Sequence, residues 1–144
     1  MFFWIGQSVL KNAELLALEA CGLLYNAACL TVAADDALRV SDPFGVERRT
    51  AQRLAYQGPY RPDMVPLFAS PPNEALEYAK MREPKAMAIR PVGPKIAIAT
   101  GATLAEAEAR ALSRCSVADS PFPCFLYAAN QVTILPQRRT EAQQ

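Results

Sequence analysis

Four cysteines are the residues best equipped for covalent chemistry in this chain, and they fall into two pairs: Cys21 with Cys29, and Cys115 with Cys124. Seven residues separate the first pair and eight the second. In each pair the first cysteine closes a helical pattern and the second opens a strand-like run. That arrangement brings the ends of a short loop together, as a disulfide requires. Two disulfides are therefore expected, each contributing about 2–3 kcal/mol by closing its loop. They would place the protein in an oxidising compartment. Two other states compete: four buried thiols packing as small hydrophobes, and a four-thiolate zinc site, whose pairs normally stand ~2–4 residues apart. The chain has no histidine at all. This removes the usual activator of a nucleophilic cysteine or serine and the commonest nitrogen ligand for zinc.

The remaining polar groupings have plain structural explanations. Arg48, Arg49 and Arg53 fall on neighbouring positions of a short helical patch, with Arg61 beyond and Tyr56 and Tyr60 nearby. Such a set suits an anionic polymer, although a solvated helix face beside Glu47 explains it as well. Thr100-Gly101-Ala102-Thr103 joins a strand to a helix, where a phosphate can meet a helix N-terminus. A single glycine is neither a P-loop nor a dinucleotide fingerprint, so a tight turn is expected instead. Asp35 with Asp36 suits a hairpin tip as well as a cation. Glu106 and Glu108 project from different sides of one helix and cannot act together as acid and base. No convergent acid, base and nucleophile set emerges, so the chain is not expected to be an enzyme, and no cofactor or metal is expected.

These residues sit on elements that occur twice. Shifted by 94 positions, residues 2–21 (FFWIGQSVLKNAELLALEAC) lie over 96–115 (IAIATGATLAEAEARALSRC), matching Leu10 with Leu104, Ala13 with Ala107, Glu14 with Glu108, Ala17 with Ala111 and Cys21 with Cys115. One more residue in the loop brings Cys29 onto Cys124, and Tyr127 onto Val32, which assigns Tyr127 to packing. Each copy reads as a short strand (2–5; 96–99), a helix with apolar residues at helical spacing, a loop, and a pair of strands around Asp35-Asp36 or Asn130-Gln131. Each such pair is expected to be a hairpin or a bulged continuous strand. Ser8 caps the first helix, which is expected to stop at Cys21 because Gly22 follows. Thr103 and Glu106 form a capping box for the second. The second copy has an additional leading strand, 86–90, turning through Pro91-Val92-Gly93-Pro94 into 95–100. Lacking that strand, the first copy is expected to leave a sheet edge open unless the other copy, a connector segment or a partner chain covers it.

The expected fold is α+β: an antiparallel sheet from two related β-α-β-β units, with helices packed on one face. The first unit spans 1–40 and the second, β-β-α-β-β, spans 86–136. Between them, 41–85 is a connector with seven of the twelve prolines. It has helical patches near 46–56 and 73–81, and its RPDMVPLF stretch (61–68) is too apolar to hang free. The tail 137–144 is polar and expected to be disordered.

With 144 residues, about half of them apolar, and a formal charge of +1, the chain can bury a core and lacks the basic excess of a dedicated nucleic-acid binder. The apolar stretch 15–34 carries Glu19, Gly22 and Asn26, and no basic residue leads MFFWIG. Neither a membrane span nor a signal peptide is expected.

KAMAIRPVGPKIAIATGATLAEAEARALSRC with PCFLYAANQVTILPQR (85–138) resembles small cysteine-paired β-β-α-β domains of exported proteobacterial proteins of unknown function. RPDMVPLF resembles a segment found ahead of such domains, and 2–40 resembles a degenerate copy. The resemblance implies the cysteine pairs and an envelope or extracellular setting, and it brings no functional residues with it. The expectation is a non-catalytic exported or envelope-associated structural or binding module. Its partner would be a protein or a cell-wall glycan, and a homo-oligomer would form through the open sheet edge. The alternative is an intracellular nucleic-acid-binding module with a split-βαβ sheet. It would be cytoplasmic, with free thiols, but it lacks a continuous basic stripe.

Overall fold

The computed structural model describes residues 10–35, 37–38 and 48–135. The expected strand at 2–5, the Ser8 cap, Asp36, the start of the connector and the tail lie outside them. The elements run α1 (Leu10–Tyr25), β1 (Ala33–Ala34), β2 (Ala37–Leu38), α2 (Gln52–Ala55), β3 (Gly58–Pro59), α3 (Asn73–Lys80), β4 (Lys85–Arg90), β5 (Lys95–Thr100), α4 (Leu104–Cys115), β6 (Phe125–Ala129) and β7 (Val132–Thr133). The class is α+β, and all the pairings among these strands are antiparallel.

One sheet has the order β3-β7-β6-β4-β5, so the long strand β4 is central. Alternation along β4 and β5 divides the core in two. Ala86, Ala88, Ala97 and Ala99 form a layer of small side chains under Ala107, Ala111 and Cys115 of α4. Met87, Ile89 and Ile96 face the other way, into a cluster with Tyr127 of β6, Tyr78 of α3, Leu23 of α1 and Val65 and Leu67 of the connector. Helices therefore cover both faces of the sheet, not one. Large apolar residues on the second face need a cover of their own, and α1, α3 and the connector supply it. The connector goes further and adds β3 to the sheet edge beside β7.

Asn130 and Asp35 each stand at a hairpin turn. Asn130 takes φ 52° between β6 and β7, and Asp35 takes φ 50° between β1 and β2. Asparagine and aspartate tolerate that left-handed region better than other non-glycine residues. In β6 the register shifts so that Ala88 faces Leu126 while Met87 faces Ala128. Tyr127 is the extra residue, and the bulge aims it into the large-residue cluster, where its hydroxyl donates to Met64 O at 3.0 Å.

Helix α1 departs from expectation. It runs through Gly22 to Tyr25, and Asn26 ends it, with φ 49° and an N–H that donates to Gly22 O at 2.9 Å. Gly22 serves close packing instead: a Cβ there would lie 3.0 Å from Leu54 Cδ1 of α2. Helix α4 ends at Cys115 and begins with Thr103, whose hydroxyl accepts from Glu106 N at 3.2 Å. Pairing of β1 with β2 makes a separate two-stranded sheet of two residues per strand, a unit that is marginal on its own.

Candidate functional site

Both cysteine pairs are bridged. Cys21 and Cys29 have Cα atoms 6.4 Å apart, Cys115 and Cys124 6.1 Å. Cys21 lies inside α1, about one turn before its end, so the first bridge ties the body of the helix to Cys29. Cys29 is held in turn by paired backbone hydrogen bonds with Arg49, at 3.0 and 2.7 Å. The second bridge ties the last residue of α4 to the approach of β6.

The loop closed by the first bridge builds a wall of a cleft of about 290 Å³. Gly22, Leu23, Ala27 and Ala28 stand on one side, facing Ala51, Leu54 and Ala55 on the other. Asn26, Thr50 and Gln57 supply the polar lining. The cleft is at the low end of the ~300–1,000 Å³ usual for ligand sites. No carboxylate, amine, thiol or phenol lines it, so the lining itself offers apolar surface and neutral polar groups and no acid or base.

Beside it lies a buried ion pair that composition gives no hint of. Glu19 has no exposed surface, and Arg53 meets it with both ends of the guanidinium: Nε donates to Oε1 at 2.5 Å and Nη2 to Oε2 at 2.7 Å. Arg53 Nη1 donates to Val65 O at 3.0 Å and Phe68 O at 2.9 Å. Four of its five N–H donors are thereby used. The Leu67 amide donates to Glu19 Oε2 at 2.7 Å, and Leu67 itself has φ 75°, a costly conformation for a bulky residue that persists only where its surroundings enforce it. The pair thus pins a strained connector turn onto α1. Burial pushes the Glu19 carboxyl above its ordinary value, against the pull of Arg53 and the Leu67 amide.

The expected arginine set does not assemble. Arg53 faces inward, and Arg61 is paired with Asp63 at 2.6 Å on the surface. Arg48 and Arg49 are exposed in extended chain ahead of the single turn of α2. A helix over 46–56 would have put three of them on one face, but the described backbone before Gln52 is not helical, because Arg49 is drawn into the bridge with Cys29. At the other candidate anion site, Glu106 Oε2 accepts from Ala102 N at 2.7 Å and Thr103 Oγ1 from Glu106 N, so the helix's own residues occupy those donors. The tightness of the Gly101 turn is steric, since a Cβ would stand 2.6 Å from Ala107 N.

The other buried ionisable groups are tied to backbone carbonyls. Lys85 is fully buried, donates through Nζ to Tyr78 O at 2.7 Å near the end of α3, and lies 4.7 Å from the Tyr78 ring centre. Burial pulls its ammonium below the usual lysine range, against the opposing charge of Glu83. Tyr60 and Tyr78 pack edge to face at 4.7 Å and donate to Ala75 O and Asn130 O, both about 2.7–2.8 Å away. Burial raises all three core tyrosines, Tyr60, Tyr78 and Tyr127. None of these side chains lines the cleft.

Among the described residues no three His, Cys, Asp or Glu side chains gather as a metal site, and no helix is long and apolar enough to cross a membrane. Compared with known protein families, curated proteins and solved structures, the chain matches none.

Proposed function

We propose that this chain is a non-catalytic binding module of an oxidising compartment, periplasmic or extracellular, with a protein segment or a cell-wall glycan as ligand. The observation that carries the reading is the position of the Cys21–Cys29 bridge. It closes the loop whose residues Gly22, Leu23, Asn26, Ala27 and Ala28 line the cleft, so the bridge and the cleft share one loop. Its lining offers apolar surface and neutral polar groups, which suit a sugar ring or an apolar side chain better than a charged substrate. The resemblance of 85–138 to cysteine-paired exported domains agrees with this compartment. So does the repeated order of helix, cystine and hairpin, which supports descent from one duplicated unit. The nucleic-acid alternative draws no support from Arg53, buried against Glu19, or from Arg61, paired with Asp63 at the surface.

The test is a thiol count by intact mass on unreduced protein treated with an alkylating agent, after export to the periplasm of a bacterial host. No alkylated cysteine, and peptide mapping that links Cys21 with Cys29 and Cys115 with Cys124, is the expected result. Four alkylated cysteines in exported, folded protein overturn the reading.

A further inference from the structure

Among the described residues β5 is the long free edge of the five-stranded sheet, and its geometry shows which groups it presents. Gly101 N donates to Pro84 O at 3.3 Å, back toward β4. Backbone groups alternate sides along an antiparallel strand, so those of Ala97 and Ala99 also point to β4, and those of Ile96, Ile98 and Thr100 point outward. Two of the outward carbonyls are met by side chains of α4: Arg114 donates to Ile98 O at 2.9 Å and Arg110 to Thr100 O at 3.1 Å. The outward amides of Ile96, Ile98 and Thr100 meet no acceptor among the described residues. Lys95 stands at the start of the same strand and donates to Arg114 O at 2.9 Å. Arg110 also pairs with Glu106 on the helix surface, an exposed contact.

A strand edge with free amides is a template for an added strand, and long basic side chains are a recognised way to guard one. Charge decides which strand can be added. A second copy of this chain would bring Lys95 and Arg114, whose partners here are neutral carbonyls, and Arg110, which Glu106 already pairs, up to the same basic set of its partner. An extended segment with acidic side chains supplies carbonyls to the free amides, amides to the Ile98 and Thr100 carbonyls, and carboxylates to the guanidiniums it displaces. We infer that the β5 edge is a docking site for an extended, acidic peptide segment that adds as a sixth strand. The inference deepens the binding-module reading by giving its partner a chemistry. It stands on the edge and not on the cleft, so the thiol count above and the experiment below can fail separately.

The probe is a short fluorescein-labelled peptide alternating valine with glutamate, with a valine–lysine peptide of the same length as its counterpart. The valine–glutamate peptide is expected to raise fluorescence anisotropy on mixing with the oxidised protein and to slow amide hydrogen exchange at Ile96, Ile98 and Thr100. The valine–lysine peptide is expected to do neither. Arg110→Glu with Arg114→Glu, both at exposed positions, is expected to weaken the acidic peptide by roughly tenfold and to admit the basic one. The site assignment is overturned by absence of binding up to about 1 mM peptide, by binding that leaves those three amides unprotected, or by equal binding of both peptides. The exchange measurement uses unmodified protein, so it decides even where the double variant does not fold.

Discussion

Residues 10–38 and 104–133 contain the same order of helix, cystine and hairpin, yet different forces anchor them. Helix α4 lies on a layer of alanines, and its own small residues let backbone approach backbone. Its hairpin, β6–β7, is part of the main sheet. Helix α1 has no such layer. It reaches the rest of the molecule through Leu16, Ala20 and Leu23 and through the charge of Glu19, and its hairpin stands alone as a two-stranded sheet. One local pattern can therefore be held by close packing in one place and by a buried ion pair in another. The alanine layer tolerates little change in volume, and the ion pair little change in charge.

The largest expected effect is loss of one member of that pair. Arg53→Met leaves Glu19 buried without its counter-ion and releases the Leu67 turn, a loss of about 3–5 kcal/mol in urea unfolding. A loss below about 1 kcal/mol would show that the first unit is held by apolar contacts like the second. Next come the bridges. Removing Cys21 and Cys29 by alanine substitution, or Cys115 and Cys124, is expected to cost about 2–3 kcal/mol each, because the two loops are nearly equal in length. The excess cost of the second pair, read from the difference in denaturation midpoints, measures the packing of the fully buried Cys115.

Overpacking separates the regions directly. Ala111→Leu, in the fully buried layer, is expected to cost about 1–3 kcal/mol, while its counterpart Ala17→Leu, on the half-buried face of α1, costs less than about 1 kcal/mol. Equal costs would mean that α1 rests on an equally close layer.

The smallest effect is a pH dependence. A carboxyl whose folded pKa is raised contributes stability that is fully present below its unfolded value and is lost as pH rises through the folded one. The stability of the native protein relative to Glu19→Gln should therefore decline as pH climbs from 4.5, by about 1.4 kcal/mol for each unit of elevation. A difference that grows with pH instead would show that Arg53 outweighs the cost of burial.

Much of the second unit is legible in the sequence. Four-residue apolar runs on either side of Pro91-Val92-Gly93-Pro94, the Thr103 cap, and small residues four apart on α4 are local signals, and each predicts its own element. Glu19 was legible only as an anomaly. It sits between Leu16 and Leu23 at core-facing spacing, and a carboxylate there demands a cation, yet nothing nearby identifies Arg53, 34 residues along the chain. The end of α1 departs from its local signal for a related reason. Gly22 signals a helix stop when only the chain is considered, whereas the absence of its side chain serves Leu54. Lys85 opens a strand like any polar terminal residue, and only α3 folded over it makes it buried.

The sequence by itself determined the α+β class, the paired cysteines, the tight turns and the alanine face of α4, because propensity, capping and short loop closure act over a few residues. Tertiary structure alone decided that the connector enters the core, that both sheet faces are covered, that Arg53 turns inward and that β5 is left at the edge. Those outcomes depend on which distant surfaces meet, and an isolated stretch of chain has no means of specifying what will bury its charges or pair with its backbone.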